Sequence, residues 1–571
     1  MVSNSKVSEA LFELGEIFAI KGDLFRSRAF LKAARRIASL SIDLQEYRRE
    51  SDLTSIPDVG KGIAKIIGEI LDTGTSVELE ELKESLPQGV RELMQLEGVG
   101  PKLALRLARE LGVTTIEELE TAAREGRIKL LKGFGEKTEA NILRSIEVFK
   151  SSRERFLLGA ILGLERAIVD YLAASEEVLK AEIVGSVRRR KETIGDLDIL
   201  VASNNPEEVM ERFTSIPNVD SILSKGSRKS TIRLSNNLKV DLLIVSLDSW
   251  GSALQYFTGS KEHNVKVRRI AAKKGFKLNE YGLYLRETGQ KIGGENESEI
   301  YSLLGLDWIE PELREDHGEV EAASSHSLPK LITLTDVKGD LHVHTDWSDG
   351  VGSIQDMVEK ARRMRLEYIA ICDHSKSLAI ARGLDEERLR SQITEIDRLN
   401  ERLEGFVILK GIECDIKSDG RLDLPNNVLK DLDYVVGSIH SGFKSSEEEM
   451  TDRLIAAMQN EYVDTIGHLT GRLLLKRQPY PLNLDKIFEA AASRGVMMEI
   501  NAFPDRLDLN DIYCRKAKGA NITMSIGTDA HAPNQMDFLS LGVDVARRGW
   551  LEAVNVINTL NAKEILNRLR G

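Results

Sequence analysis

The chain has 571 residues, which at roughly 150 residues per domain corresponds to about four domains. Hydrophobic residues make up 42% and charged residues 30%, so a disordered chain is excluded, and charge interrupts every long apolar stretch, so a transmembrane helix is not expected. The formal net charge of -12 argues, as an average over the whole chain, against a nucleic-acid partner.

The acidic excess is unevenly distributed along the chain. Residues 1–150 carry 23 basic and 25 acidic side chains, and residues 151–315 carry 24 and 25. Residues 316–571 carry 32 and 41. The first half is therefore nearly balanced, and its local basic runs can hold a phosphate backbone, although any single run is also typical of a solvated helix face.

Cysteine content and the N-terminal pattern indicate the compartment. Three cysteines are too few for a disulfide framework, which favours a reducing environment. Glu9, Glu13 and Glu16 interrupt the apolar pattern of the first segment, unlike the apolar core of a signal peptide. We therefore expect a cytoplasmic protein with no membrane partner.

Residues 1–150 are predicted to be helical, because apolar side chains recur with a period near 3.6. A glycine-containing unit occurs three times there, with key glycines at Gly60, Gly100 and Gly135. In each copy a helix enters a glycine turn and a second helix leaves it, so bare amides can meet a phosphate. A helix C-cap followed by an N-cap would explain one copy, but three similar copies favour a binding function.

The repeated unit resembles the helix-hairpin-helix motif, which grips the DNA backbone without reading sequence. The resemblance implies DNA contacts at a set of turn glycines: Gly60, Gly62, Gly98, Gly100, Gly133 and Gly135. The first copy departs from the other two, because Asp58 stands where they have glycine. A carboxylate near a phosphate site makes the second copy the better DNA-binding candidate.

Residues 151–315 change to mixed helices and short β-rich segments, and these segments carry three carboxylates. Asp196 and Asp198 alternate on one predicted strand, so both side chains point to the same face. Asp241 lies on another strand-like segment. Three convergent carboxylates repel one another unless cations lie between them, and two Mg²⁺ or Mn²⁺ ions bridging substrate phosphates would satisfy such a site.

A small-residue turn precedes the carboxylates by about ten residues. It contains Gly185 and Ser186, followed by Arg188 and Arg189. The serine hydroxyl and the arginine cations are suited to binding a triphosphate. A D-x-D pattern alone is usually a turn or a solvated strand end, whereas its combination with this turn is far more specific. The arrangement resembles the nucleotidyltransferase superfamily.

The segment that follows contains Tyr256-Phe-Thr-Gly-Ser260 and, further on, Asn264 and Arg268. With these residues the sequence resembles the family X DNA polymerases, of which DNA polymerase beta is the familiar member. The likeness covers about residues 1–315. It implies that Asp196 and Asp198 hold both metals and that Asp241 helps to deprotonate the primer 3′-hydroxyl. The implied nucleotide-binding residues are Gly185, Ser186, Arg189, Tyr256, Phe257, Gly259, Asn264 and Arg268.

Two positions depart from that family's pattern, and one is retained. Lys261 replaces an acidic residue near the nucleotide, and Thr75 stands where lyase-active relatives carry a Schiff-base lysine. Lys32 matches a phosphate-binding lysine. A 5′-phosphate pocket is therefore expected, whereas lyase activity through a lysine imine is not.

A polar, irregular stretch over residues 316–333 is predicted to be a linker. After about residue 334, seven strand-like segments alternate with amphipathic helical segments. Such alternation favours a parallel β/α barrel, whose active site gathers at the carboxyl ends of the strands.

Six of the nine histidines fall at those predicted strand ends, and carboxylates accompany them. A lone histidine is more often a core or surface residue than a ligand, but six at equivalent places predict a metal site that suits Zn²⁺, Mn²⁺ or Fe²⁺. The nine candidate ligands exceed what one metal takes: His342, His344, Asp349, His374, Glu413, His440, His468, Asp529 and His531.

The pattern resembles the PHP (polymerase and histidinol phosphatase) domain, a distorted seven-stranded barrel with a site for up to three metals. The resemblance implies three ligand groups: His342, His344, Glu413 and Asp529; Asp349, His374 and His468; Glu413, His440 and His531. Asp349 stands where many relatives have histidine. Hydrolysis of a phosphodiester is the implied chemistry, and Arg506 is a candidate phosphate clamp, with a surface salt bridge nearly as good an explanation.

The predicted fold is a multidomain α+β and α/β chain with a helical helix-hairpin-helix region, a nucleotidyltransferase palm and a distorted (β/α)7 PHP barrel. The predicted segments are an N-terminal helical domain (1–85), a fingers-like subdomain (86–150), the palm (151–250), a nucleotide-selecting subdomain (251–315), the linker (316–333) and the PHP phosphoesterase (334–571).

Nearly the whole chain resembles the bacterial and archaeal PolX enzymes. The implied function is short-gap filling in DNA repair, including base excision repair, with metal-dependent 3′–5′ exonuclease, 3′-phosphoesterase or abasic-site endonuclease activity. Expected partners are gapped or primed double-stranded DNA and dNTPs, for a monomer associated with the nucleoid. The alternatives are a 3′-end-processing nuclease whose polymerase half delivers DNA, a non-catalytic scaffold, and a histidinol phosphatase, which leaves residues 1–315 unexplained.

Overall fold

The computed structural model describes residues 4–570 apart from 39–43, 45–46, 49–52, 85–88, 95, 97–98, 100, 154 and 379–380. Within those ranges each helix is too short or too polar to cross a membrane.

The described part of residues 1–150 is mainly helical and contains no strand, as predicted. The first helical group packs Leu11, Leu14 and Ile67 into one buried core. In its third helix, isoleucines recur at helical spacing on the buried face, and the helix ends at Gly74 in a left-handed conformation (φ 83°). The helices of this group are Asn4–Ile20, Leu24–Ala38, Lys61–Thr73 and Val77–Glu84.

A second helical group has its own core, which includes Leu107, Leu119 and Ile142. Thr115 begins one of its helices with a capping box, in which its side chain accepts from the amide of Glu118 and the Glu118 side chain reaches back. The helices of this group are Val90–Leu93, Pro101–Leu111, Ile116–Arg124 and Glu136–Arg153.

Residues 156–293 contain ten strands. They are β1 (Phe156–Leu157), β2 (Val178–Val184), β3 (Thr193–Ile194), β4 (Asp196–Ser203), β5 (Val219–Lys225), β6 (Lys229–Leu234), β7 (Lys239–Val245), β8 (Phe276–Asn279), β9 (Gly282–Leu285) and β10 (Lys291–Gly293). The helices between them are Leu158–Ile161, Leu164–Ala173, Gly185–Arg188, Pro206–Thr214, Trp250–Thr258 and Lys261–Lys273.

The palm sheet has five strands in the order β2-β4-β7-β6-β5. Only β4 and β7 are parallel neighbours, and the other pairs are antiparallel. Alternate residues of β4 pack on opposite sides: Leu197 joins a core with Phe213, whereas Leu200 joins a core with Trp250. Both faces of β4 are therefore covered, which fixes the direction of every side chain along it.

Beyond the palm, a small antiparallel sheet of β8, β9 and β10 packs with helix Glu297–Leu303. Arg314 is fully buried there and forms an ion pair with Glu297. Arg188 of the palm also binds Glu297, at 2.7 Å between Arg188 Nη2 and Glu297 Oε2. This buried ionic cluster ties the palm to the following subdomain.

The segment expected to be an irregular linker is folded. Residues Glu319–Ser324 form a helix, and Val320 and Ala323 pack in the same core as Ile300. Glu319 is buried and lies 2.7 Å from His263 Nδ1. The prediction of an irregular stretch was wrong because the few apolar residues there are spaced to cover one side of the neighbouring core.

The C-terminal half is a parallel barrel whose seven strands follow chain order, as predicted. The strands are β11 (Gly339–Val343), β12 (Tyr368–Ile371), β13 (Val407–Asp415), β14 (Tyr434–Ser438), β15 (Thr465–Ile466), β16 (Met497–Asn501) and β17 (Met524–Gly527). The helices are Ile354–Arg363, Glu386–Asn400, Asn426–Leu429, Glu447–Ala457, Leu484–Arg494, Asp511–Gly519, Leu539–Arg548 and Ala562–Arg570.

Hydrogen bonds between the end of β11 and the segment that follows β17 close the barrel. The His344 amide donates to the Ala530 carbonyl at 2.8 Å, and the Asp529 amide donates to the His342 carbonyl at 2.8 Å. Because all seven strands are parallel, their carboxyl ends open on one face, where the histidines lie.

The palm and the barrel are packed directly against each other. Gly159 of the palm lies against Pro504 and Leu541 of the barrel. A Cβ added to Gly159 would lie 2.7 Å from Pro504. Arg472 of the barrel forms a bidentate ion pair with Glu192 of the palm, at 3.1 and 2.5 Å. The two halves therefore share a close interface, which includes the buried Arg472 guanidinium.

Replacing Arg314 with methionine is expected to destabilise the subdomain around helix Glu297–Leu303 by about 3 kcal/mol, because the substitution removes one partner from a buried ion pair. Hydrogen–deuterium exchange followed by mass spectrometry should report faster exchange in that helix. Lys266→Met is the control, since Lys266 pairs with more exposed acids and should change stability by less than about 1 kcal/mol. Equal protection of the helix in both variants would contradict the prediction.

Candidate active sites

The three palm carboxylates lie together at one end of the sheet. Asp198 on β4 is directly opposite Asp241 on β7, and Asp196 is on the same face as Asp198. Burial, followed by the charges of Asp196 and Asp241, raises the pKa of Asp198 to about 7. Thr231 donates a hydrogen bond to Asp241 at 2.6 Å, and Lys229 Nζ lies 2.5 Å from the other carboxylate oxygen. Several carboxylate oxygens lie close together here, where their negative charges are unfavourable. Such a cluster fits hard divalent cations.

Gly185 is required beside these carboxylates. Its backbone is in the left-handed region (φ 64°), and an added Cβ would lie 2.2 Å from Asp198 Oδ2. The turn therefore brings the bare backbone of Gly185 against the carboxylate cluster, and Ser186 is the next residue in the chain. This close approach explains why the glycine and the D-x-D pattern occur together.

Arg189, expected to bind the triphosphate, is held by the protein around it. Its guanidinium donates to the Thr258 carbonyl, and its Nε donates to Glu315 Oε1 at 3.0 Å. Gly259 follows Thr258 in the left-handed region (φ 71°), and an added Cβ would lie 3.0 Å from Arg189 Nη1. The two turns predicted to bind the nucleotide are thus in contact through Arg189.

The remaining predicted nucleotide residues lie on the two helices beside Gly259. Tyr256 and Phe257 are edge-to-face, with ring centroids 5.2 Å apart. The Asn264 side chain is buried, where it donates to the Tyr256 carbonyl at 2.7 Å and accepts from Gln255 at 2.7 Å. Arg268 Cζ lies 5.9 Å from the centre of the Tyr256 ring. Asn264 therefore fixes the position of the Tyr256 backbone.

The turn glycines of the first and third helical repeats face open space. A Cβ added to Gly60, Gly62, Gly133 or Gly135 would meet no described atom within 4 Å. Internal packing therefore does not require glycine at these positions, which leaves room for a phosphate. Lys32 is exposed. Gly98 and Gly100 of the second repeat lie outside the described residues.

The nine candidate ligands of the barrel lie at the carboxyl ends of its strands. His344 Nε2 is 3.1 Å from Asp529 Oδ1, and His374 Nδ1 is 2.6 Å from Glu413 Oε2. The Nε2 atom of His342 is buried and has no hydrogen-bond partner among the described residues. A buried imidazole nitrogen aimed into a group of carboxylates and histidines fits a metal ion.

The structure divides the nine residues differently from the three expected groups. His531 lies with Asp349, at 3.3 Å between Nε2 and Oδ1, whereas His468 Nε2 lies 3.0 Å from Glu413. His468 and His531 thus exchange places relative to the expected groups, because strand order around the barrel decides which loops meet. The sets whose ligand atoms lie within 4.8 Å are His344, Asp349, His374 and His531; His342, His344 and Asp529; and His374, Glu413 and His440.

Glu499 on β16 is a buried carboxylate that sequence reasoning missed. Its Oε1 lies 2.5 Å from His342 Nδ1, and its Oε2 accepts from the amide of His468 at 2.6 Å. A carboxylate behind a ligating histidine fixes the ring's tautomer and orientation. Asp415 does the same for His440, at 3.0 Å from its Nδ1. Asp415 stands two residues after the predicted ligand Glu413 on β13, and Glu499 is an acid within the apolar strand β16, which were the available signals.

Arg506 lies inside the barrel site. Its Nε is 3.2 Å from Asp529 Oδ2, so it pairs with a candidate ligand. Arg506 therefore forms its salt bridge with Asp529 within the site and not with a surface residue. A guanidinium at that place can meet a phosphate oxygen.

Family models match four parts of the chain. The matches are DNA polymerase beta thumb (residues 253–315), PHP domain (340–503), helix-hairpin-helix domain (2–76) and SAM-like helix-hairpin-helix tandem (90–147). Together with the palm carboxylates and the barrel cluster, they define a nucleotidyltransferase joined to a PHP phosphoesterase.

One relative matches along nearly the full length of the chain, and others match one of its halves. The chain is 40% identical over 549 residues to the DNA polymerase/3′-5′ exonuclease PolX of Bacillus subtilis (strain 168), which covers 96% of this chain and 95% of that protein. It is 32% identical to a probable phosphatase of Caldanaerobacter subterraneus subsp. tengcongensis over 40% of this chain and 85% of that protein. It is 24% identical to rat DNA polymerase lambda over 55% and 56%. The chain belongs to the PolX family of family X DNA polymerases that carry a PHP domain.

Replacing Glu499 with glutamine is expected to weaken metal binding in the barrel by about 10- to 100-fold, because the acceptor behind His342 loses its charge. Titration with Mn²⁺ followed by electron paramagnetic resonance measures the affinity. Glu489→Gln, an exposed change on helix Leu484–Arg494, is the control and should bind as the wild type does. Unchanged affinity in the Glu499 variant would show that His342 is oriented without it.

Proposed function

We propose that this chain fills short gaps in DNA during base excision repair and that its PHP domain trims or cleans 3′ ends. The substrates would be gapped or primed double-stranded DNA and dNTPs. The activities proposed for the barrel are 3′–5′ exonuclease, 3′-phosphoesterase and abasic-site endonuclease. The carboxylate pair Asp198 and Asp241, held in register beside the Gly185 turn, is the single observation that carries the polymerase assignment.

The polymerase step is assigned to the palm face. Two Mg²⁺ or Mn²⁺ ions, held by Asp196, Asp198 and Asp241, would offset the triphosphate charge and lower the pKa of the primer 3′-hydroxyl. Asp241 would accept the hydroxyl proton at its carboxylate. Gly185 and Ser186 would hold the phosphates with bare amides and a hydroxyl.

Selection of the nucleotide is assigned to the helices beside Gly259. Tyr256 and Phe257 would border the sugar, where close backbone packing disfavours a 2′-hydroxyl. Arg189 would reach the triphosphate from its place beside Glu315, and Asn264 would position Tyr256. Arg268 would face the base and the template.

The phosphoesterase step is assigned to the barrel. Up to three Mn²⁺, Zn²⁺ or Fe²⁺ ions, held by the nine His, Asp and Glu residues, would activate water and neutralise the scissile phosphate. Arg506 would hold a non-bridging phosphate oxygen. Glu499 and Asp415 would keep the histidine rings in their ligating orientation.

DNA binding is assigned to the helical repeats. The open turn glycines and Lys32 would hold the backbone and a 5′-phosphate without reading sequence. Thr75 donates its hydroxyl to Glu80 and offers no amine for an imine, so lyase chemistry is not assigned. We assign domain limits at residues 85, 150, 250 and 333, and helix Glu319–Ser324 belongs to the subdomain before the barrel, because it packs in the same core as Ile300. We also assign a monomer working in the cytoplasm at the nucleoid.

A nuclease whose polymerase half only delivers DNA is the alternative. It requires a palm site unable to hold cations. The convergence of Asp196, Asp198 and Asp241 favours catalysis by the palm instead.

Asp198→Asn is expected to lower nucleotide addition on a 5′-phosphorylated gapped duplex by at least about 100-fold and to leave 3′-end shortening unchanged. His344→Ala should do the reverse, because His344 belongs only to the barrel cluster. Both reactions are followed on labelled primer with dNTPs and either Mn²⁺ or Mg²⁺.

Matched exposed changes serve as controls for this pair. Asp248→Asn in the palm and His326→Ala beyond it alter the same residue types at exposed positions and should keep both activities. Wild-type protein that shortens ends but never extends primers would favour the delivery alternative. Loss of both activities in either variant would contradict two separate sites.

A further inference from the structure

Arg548 is a barrel residue whose side chain reaches the polymerase half. It ends helix Leu539–Arg548, and its side chain is 4% exposed. Nη2 donates to Asp511 of the barrel at 2.5 Å. Nη1 donates to the Arg189 carbonyl at 2.7 Å and to Glu315 Oε1 at 3.2 Å. One buried guanidinium therefore joins the two halves.

Through Glu315 and Arg189, Arg548 is connected to residues 258–260, the turn that is predicted to bind the nucleotide. Glu315 accepts from Arg189 Nε at 3.0 Å, and the Arg189 guanidinium holds the Thr258 carbonyl. The Ser260 amide donates to the Arg314 carbonyl at 3.0 Å. Residues 258–260 are thus held by the segment that Arg548 binds, one turn after Tyr256 and Phe257.

Arg548 is one of three cationic side chains around the Glu315 carboxylate. Glu315 faces Arg189, Arg548 and, at 3.8 Å, Lys191. Burial would raise the pKa of Glu315, but the charges of Arg189, Arg548 and Lys191 lower it. Without Arg548, Glu315 would bind Arg189 more strongly and withdraw it from a triphosphate. The Arg189 carbonyl would also lose a buried donor.

We propose that Arg548 of the PHP barrel is a positioning residue of the polymerase nucleotide pocket. It acts through Glu315 and through the Arg189 backbone, and it touches no substrate. The barrel is then a structural part of the polymerase site as well as the carrier of its own. The proposal rests on the polymerase function proposed above.

Arg547 is the natural comparison. It lies at the same interface, where it binds Glu312 at 2.7 Å and the Ile332 carbonyl at 2.9 Å. These contacts hold the halves together without reaching Arg189 or residues 258–260 among the described contacts. If a substitution only loosens the interface, replacing Arg547 or Arg548 should have the same effect. If Arg548 positions the nucleotide pocket, only its replacement should affect nucleotide binding.

The test is insertion of one dNTP into a one-nucleotide gap in 5′-phosphorylated duplex DNA, with the dNTP concentration varied. Arg548→Gln is expected to raise KM for dNTP about 10-fold, with a smaller change in kcat. Arg548→Lys should restore part of the loss, because it keeps the charge. Arg547→Gln should have wild-type KM, and 3′-end shortening should be unchanged in all three variants.

A double-mutant cycle separates positioning from folding. If Arg548 acts through Glu315, Arg548→Gln with Glu315→Gln should raise KM no further than the larger single change. Equal KM in the Arg548→Gln and Arg547→Gln variants would overturn the proposal, as would a fall in kcat alone. Wild-type protein with no insertion would instead overturn the proposed polymerase function.

Discussion

Repulsion between carboxylates held together at strand ends is the constraint on which both candidate sites depend. In the palm, the parallel register of β4 and β7 puts Asp198 opposite Asp241 with Asp196 nearby, and burial together with these two charges raises the pKa of Asp198 to about 7. The covered faces of β4 fix where the side chains point, and Lys229 beside Asp241 offsets part of the repulsion. Divalent cations relieve it, and the same cations are what a triphosphate needs.

The barrel solves the same problem with mixed ligands. Imidazoles separate its carboxylates, and a buried acid, Glu499, fixes the His342 ring from behind. The palm has oxygen ligands only, so the two sites differ in the metals they suit.

Much of the architecture could be predicted from the sequence. The predictions of seven strands in chain order, of helices in the described part of residues 1–150 and of the family X resemblance are confirmed, because periodicity and short motifs determine them locally. Glu499, Glu315 and Arg548 belong to no motif. Arg548 meets Arg189 across 359 positions, so only the packing of the two halves brings them together. The placement of His468 and His531 depended likewise on which loops meet around the barrel.

Whether the chain has two separate metal sites is tested most directly by the number and affinity of Mn²⁺ ions that the metal-free protein binds, counted by electron paramagnetic resonance. Two independent classes of ions are expected. Asp198→Asn with Asp241→Asn should remove only the palm class, and His344→Ala with His374→Ala only the barrel class. A variant that removed both classes, or a wild type with a single class, would contradict two separate metal-dependent sites.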